Sequence, residues 1–309
     1  MNRVACIGEC MIELSEHAGG NLTRSYGGDT LNTALYMARL GAPVDYVTAL
    51  GDDGWSDEML AAWRAEGIGT DKVLRLLGRL PGLYVIQTDP AGERRFQYWR
   101  DSAAARDLFA LAETPALVEA LARDYTLLYL SGITLSLYGD AGRAVLFDAL
   151  DKARAAGVRI AFDTNFRTRG WPDRELARRA YRDILDRSDI ALASTEDLDL
   201  LFGEGRTQAF LDGKHPPELV LKLAKPACRV LADGTDELVE AGPVKKVVDT
   251  TAAGDSFAAA YLTARLSGAN PVDAAHAGHR LAGAVVGHRG AIIPRAAMPP
   301  NVIERKSGT

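Results

Sequence analysis

The sequence predicts an α/β protein, a doubly wound and mostly parallel sheet sandwiched by helices, with a small β-sheet lid. Three observations predict it. Short apolar runs of strand length alternate with stretches of helical apolar spacing for most of the chain, the pattern of parallel βαβ units covered on both faces. Glycines close two of the early helical stretches, as helix ends require. One pair of β-rich runs, joined by a Pro/Gly turn, interrupts the alternation and reads as a hairpin.

In chain order, Arg3 to Gly8 is a buried strand ending at a glycine, and Asp29 to Leu40 turns helical until Gly41 stops it. Val44 to Leu50 is a strand, and Gly54 to Glu66 a helix closed by Gly67. The interruption follows: Leu83 to Thr88 and Arg94 to Trp99 flank Asp89-Pro90-Ala91-Gly92-Glu93, and Leu22 to Tyr26 is another extended piece. Antiparallel strands set into a parallel body suggest a lid over a site, with segments near 12–26 and 82–100. Alternation resumes with a strand at Leu127 to Leu130 and a helix from Gly139 to Ala156. A strand at Val158 to Phe162, a helix at Arg174 to Leu185 and a strand at Ile190 to Ala193 come next. A helix at Thr195 to Phe202 and strands at Leu219 to Leu223 and Val244 to Val248 precede the C-terminal helices. Nothing resembling a linker or an internal repeat divides residues 1–309, so one domain is expected.

Composition narrows the function classes. The 309 residues are 47% apolar and 25% charged, the balance of a globular protein that needs no disulfide or structural metal. A net charge of −5 gives no footprint for nucleic acid. No apolar run approaches the ~18 residues of a membrane span, and the N-terminus, with Glu9 and Glu13, is no signal peptide; a cytoplasmic protein is expected. Cys6, Cys10 and Cys228 read as buried reduced thiols.

The richest chemistry lies in Asp249-Thr250-Thr251-Ala252-Ala253-Gly254-Asp255-Ser256-Phe257. Small residues at 252–254 let a ligand approach the backbone. The helix that opens there directs unpaired N–H groups outward with about half a positive charge, an anion hole suited to a phosphoryl group. Asp255 has two readings on spacing alone: stabilising the helix end by about 0.3–1 kcal/mol, or accepting a proton from a hydroxyl that attacks phosphorus.

DTTAAGDSF resembles the second signature of the ribokinase-like (PfkB) carbohydrate kinases, and Gly27-Gly28-Asp29-Thr30-Leu31-Asn32-Thr33-Ala34 resembles the first. Within that family the chain looks most like the branch that phosphorylates 2-keto-3-deoxygluconate. That likeness runs through Gly8-Glu9-Cys10-Met11-Ile12-Glu13-Leu14, Leu80-Pro81-Gly82-Leu83-Tyr84, Tyr98-Trp99-Arg100, Tyr129-Leu130-Ser131-Gly132-Ile133 and Arg289-Gly290-Ala291-Ile292-Ile293-Pro294. The resemblance implies a ribokinase-like fold and an ATP- and Mg²⁺-dependent kinase for a small sugar acid. It moves Asp255 to the catalytic base, with the amides of Ala252, Ala253, Gly254 and Asp255 as the anion hole. The sugar pocket would take Gly27, Gly28, Asp29, Asn32, Tyr84, Tyr98, Arg100 and Arg167. Tyr98 and Arg100 share strand parity, and the two arginines suit a carboxylate.

On the nucleotide side the resemblance implies Asn165, Arg167, Ser194, Glu196, Lys222 and, by position, His279, besides Ala252, Ala253 and Gly254. A monovalent cation such as K⁺ would sit at carbonyls around Asp249 and Thr251, and a homodimer or higher homo-oligomer would form through the lid. The chain departs from its family in Lys222-Leu223-Ala224-Lys225-Pro226-Ala227, where two glycines are expected and alanines stand. A neutral-sugar kinase such as one for fructose, and a nucleotide- or sugar-binding protein without turnover, are the alternatives. His17, His215, His276, His279 and His288 form no metal-binding pattern, and neither a P-loop nor a dinucleotide fingerprint occurs.

Overall fold

The computed structural model describes residues 2–16, 20–88, 94–213 and 215–303. The turn at 89–93 and His17 lie outside the described residues.

Among the described residues, thirteen strands form two sheets. They are β1 (Val4–Ile7), β2 (Met11–Glu16), β3 (Leu22–Gly27), β4 (Val44–Gly51), β5 (Val73–Leu76), β6 (Leu83–Thr88), β7 (Arg94–Trp99) and β8 (Leu127–Ser131). The series continues with β9 (Arg159–Asp163), β10 (Ile190–Ser194), β11 (Glu218–Lys222), β12 (Ala227–Ala232) and β13 (Thr235–Glu240). The nine-stranded sheet has the order β13-β12-β11-β10-β9-β8-β1-β4-β5. It is parallel from β5 to β11, and β12 and β13 pair antiparallel at one edge. Side-chain parity explains why a central strand such as β1 is apolar throughout. Val4 and Cys6 face one core layer, whereas Ala5 and Ile7 face the other, as in a sheet covered on both faces.

The helices are α1 (Asp29–Arg39), α2 (Gly54–Ala65), α3 (Thr114–Asp124), α4 (Gly132–Leu137), α5 (Asp140–Ala155), α6 (Arg174–Arg187), α7 (Thr195–Phe202), α8 (Arg206–Asp212), α9 (Ala253–Leu266) and α10 (Pro271–Val285). Residues of α1, α2, α9 and α10 fill one core layer and those of α3, α5 and α6 the other. Asp53 caps α2 by accepting from the Trp55 and Ser56 amides, and Asp173 caps α6 through Leu176.

The four-stranded second sheet, ordered β3-β2-β6-β7, contains the expected hairpin with Tyr84 opposite Tyr98. β2 joins it in parallel to β6 and antiparallel to β3. One expected strand is absent: 243–250 is irregular. The Val248 and Asp249 amides both donate to the Val286 carbonyl at the end of α10, so the segment lies across a helix end and has no strand to pair with. Cys6 lies in β1 and Cys10 in the connection to β2, and both are buried as expected.

Candidate active site

Strand order reverses around β1, which has β4 on one side and β8 on the other. In such sheets the crevice beyond the strand carboxyl ends is the ligand position. Glu9 follows β1, and Asp163, Ser194 and Lys222 are the last residues of β9, β10 and β11, so the topology carries them all to that edge.

The first turn of α9 faces the same region. Its N-cap, Ala252, is left-handed at φ 59° and ψ 17° and makes no side-chain cap. Among the described residues the amides of Ala252, Gly254 and Asp255 have no hydrogen-bond partner, while the Ala253 N–H donates to the Thr250 carbonyl at 3.2 Å. The expected cradle therefore keeps three of its four donors; the tight turn draws Ala253 inward. An L-residue in this conformation costs roughly 1–2 kcal/mol. Ala252→Gly is accordingly expected to raise stability by about 1 kcal/mol, read as an upward shift in Tm with the fold unchanged.

Asp255 is half-buried in that turn. Asn32, one turn into α1, donates Nδ2 to its Oδ2 at 2.8 Å, and the Thr33 hydroxyl donates to its carbonyl at 3.3 Å. Burial, and then the nearby Asp29 carboxylate, push the Asp255 carboxyl up to about 8; the Asn32 hydrogen bond and Lys222 oppose the rise. A carboxyl held near neutrality can exchange a proton at working pH, which a simple helix-end aspartate does not.

Lys222 supplies the cation. Its ammonium donates to both oxygens of Asp163, at 3.1 and 2.9 Å, and lies 3.6 Å from where a Cβ on Gly254 would stand. Burial pushes the Asp163 carboxyl up, with Lys222 pulling against it. Asn165, at φ 26°, donates its amide to Asp163 Oδ1 at 3.2 Å and its side chain to Asp29 Oδ2 at 2.7 Å.

The second sheet brings aromatic and charged groups to the first signature. Tyr84 donates its hydroxyl to Glu13, and its ring packs at 5.7 Å, tilted by 36°, against that of Tyr98, which is exposed. The glycines have a packing reason that the sequence did not disclose: a Cβ on Gly27 would strike the Tyr84 hydroxyl, and one on Gly28 the Glu9 carbonyl. Arg100 is not a free cation, because its guanidinium is ion-paired with buried Glu9. Arg167 is more open, with 61% of its side chain exposed, 3.8 Å from Asp197.

Ser194 caps α7 by accepting from the Asp197 amide, and Glu196 is exposed in the first turn of that helix. His279 sits on α10 with Nε2 3.1 Å from the Val239 carbonyl and its ring edge-on to Phe257 at 5.1 Å. It lines an open cavity of about 620 Å³ with Val244, Lys246 and Gly283. Ala224 and Ala227 are absent from the left-handed positions, so the alanines of the 222–227 connection are accommodated without strain. The Asp249 carboxylate accepts from the Thr251 amide, the Thr251 hydroxyl and the Gly290 amide, which ties this loop to the C-terminal segment. Among the described residues no group of three or more His, Cys, Asp or Glu side chains converges as a metal site.

Sequence reading missed Glu9, Glu13 and Asp163 as site residues. The signal was present, since each is a carboxylate in or at the end of an apolar strand, where burial is costly without a partner. The partners Arg100, Tyr84 and Lys222 come from segments 91, 71 and 59 residues away, and no local pattern names them.

The pfkB family carbohydrate kinase description matches residues 1–298. The 2-dehydro-3-deoxygluconokinase of Dickeya dadantii is 47% identical, covering 96% of this chain and 98% of that one. The enzyme of the same name from Escherichia coli is 44% identical, covering 96% and 99%. Among solved structures, a fructokinase with bound ATP from Xylella fastidiosa superposes with a TM-score of 0.81 at 24% identity over 96% of this chain and 95% of that one.

Proposed function

The chain belongs to the pfkB family of carbohydrate kinases, and on that premise we propose that it transfers the γ-phosphate of ATP to the terminal hydroxyl of 2-keto-3-deoxygluconate. The observation that carries the reading is Asp255, a carboxyl pushed up to about 8 beside unpartnered amides at a helix start. Asp255 takes the hydroxyl proton as the oxygen attacks phosphorus. The amides of Ala252, Gly254 and Asp255, with the Lys222 ammonium, stabilise the charge that develops on the transferring group. Asn32 fixes the orientation of the base. Asp29 accepts from sugar hydroxyls, and Tyr84, Tyr98, Arg100 and Arg167 complete the sugar pocket.

Arg167, mostly exposed, is the readier partner for the substrate carboxylate. Asn165, Ser194, Glu196, Lys222 and His279 serve the nucleotide. The second sheet acts as a lid that excludes water when it closes. Magnesium would enter with the nucleotide phosphates and water, the usual mode for this ion. It would neutralise phosphate charge. A monovalent cation near Asp249 and Thr251, a homo-oligomer formed through the lid and a cytoplasmic location complete the proposal. No helix among the described residues is long and apolar enough to cross a membrane.

A coupled assay of ADP release over a panel of sugar acids and neutral sugars tests the reading. The expected result is a kcat/KM for 2-keto-3-deoxygluconate at least tenfold above that for fructose, since one lost charge-assisted hydrogen bond costs about 1.5–3 kcal/mol. Preference for fructose would remove the carboxylate role of the arginines, and no turnover with any sugar would leave only a binding protein.

A further inference from the structure

Asp163 has no role in the scheme above, yet it is one of the most buried carboxylates in the protein, with 4% of its side chain exposed. Burying a carboxylate is costly unless it is paired and hydrogen-bonded, and its partners show what the position secures. Both oxygens hold the Lys222 ammonium, which stands against Gly254 in the first turn of α9. The same Oδ1 accepts the Asn165 amide. Asn165 is one of only four non-glycine residues with positive φ among those described; such a conformation persists only where surroundings over-determine it. Held there, its side chain reaches across 136 residues of sequence to Asp29 Oδ2 at 2.7 Å. An unbroken line of polar contacts thus runs Lys222–Asp163–Asn165–Asp29. One end lies at the phosphate cradle and the other in the first turn of α1.

We propose that Asp163 is a positioning residue that couples the two substrates, setting Lys222 for the phosphate and, through Asn165, Asp29 for the sugar. The proposal rests on the kinase reading and deepens it. Sugar hydroxyls that engage Asp29 fix the orientation of Asn165, and with it the Asp163 carboxylate that aims Lys222. The nucleotide then meets an ordered cation. By linkage the effect is reciprocal, and each substrate tightens the other by the same factor. A rival account makes Asp163 only a counter-ion for Lys222. On that account its loss changes nucleotide affinity equally with and without sugar.

Spatial continuity alone does not establish coupling, and a mutant cycle does. Calorimetric titration of the full chain with magnesium and β,γ-methylene-ATP, with and without saturating 2-keto-3-deoxygluconate, measures the factor. In the parent the sugar is expected to tighten the nucleotide roughly tenfold, within the usual range of such couplings. Asp163→Asn is expected to bring the factor close to one. Asn165→Gly is expected to do the same, because glycine tolerates the positive φ, removes the donor to Asp29 and leaves the Lys222 pair intact. It also carries the test alone if Asp163→Asn does not fold. Combining the two should reduce the factor no further.

A factor unchanged in Asn165→Gly, or a parent whose nucleotide affinity ignores the sugar, overturns the proposal while leaving the kinase reading standing. A parent that binds nucleotide but no sugar overturns both.

Discussion

Asp255→Asn is expected to lower kcat by roughly 10²–10⁴, the usual contribution of a general base, while the protein stays folded and becomes more resistant to heat. The two effects share one cause. The amide is isosteric and can still accept from Asn32, so the packing at the start of α9 persists, but it cannot take a proton. The carboxyl it replaces sits at about 8 because burial and the Asp29 carboxylate disfavour its charged form. In an unfolded chain an aspartate ionises near 4. A group whose folded pKa is raised contributes stability that is complete below about 4 and is lost as pH rises to about 8. Asparagine removes that loss. Thermal melts of parent and variant should therefore diverge as pH is raised through this window, with the variant the more stable. A variant as fast as the parent would exclude Asp255 as the base.

Lys222→Met is expected to damage both stability and turnover. Removing one partner of a buried ion pair leaves an uncompensated charge and typically costs about 3–5 kcal/mol. With 21% of the lysine side chain exposed against 4% for Asp163, the lower end of that range applies. Part of the cost is avoided by protonation of Asp163, whose carboxyl burial already pushes up. Denaturant unfolding should show the loss, and Asp163→Asn added to Lys222→Met should recover much of it, because the orphaned carboxylate is then gone. Turnover should not recover in the double variant, since the ammonium beside Gly254 is still missing. Recovery of rate along with stability would mean that Lys222 acts only as a structural counter-ion.

The fold was legible because its determinants are local. Apolar runs such as Val44 to Leu50 are buried along their whole length, and a strand covered on both faces reads plainly in sequence. The β12–β13 hairpin was missed because its outer strand alternates weakly and is mostly exposed. The Val244–Val248 error had the opposite cause: β-branched residues there have strand propensity, yet no neighbouring strand is available, and propensity without a partner does not make a strand.

At the candidate site, Asp255, Gly254 and Asn32 lie inside compact motifs and were singled out from local pattern and resemblance. What sequence could not provide was pairing across the chain. Asn32 was read as a sugar ligand, and the structure places its amide on Asp255. Arg100 was read as a cation for the substrate carboxylate, and the structure pairs it with Glu9. Gly27 and Gly28 were read as allowing a ligand close approach, and the structure adds a packing reason, since Tyr84 and the Glu9 backbone occupy the space a Cβ would need. Each of these contacts joins segments that only the folded sheets bring together.

The pH dependence of kcat/KM for the sugar, measured between pH 6 and 9.5 at saturating nucleotide, bears most directly on the role of Asp255. With Asp255 as base the logarithm rises with unit slope and levels off above an inflection near 8, and the residual activity of Asp255→Asn shows no such inflection. A parent profile flat across that range, or the same inflection retained in the asparagine variant, would contradict the assignment.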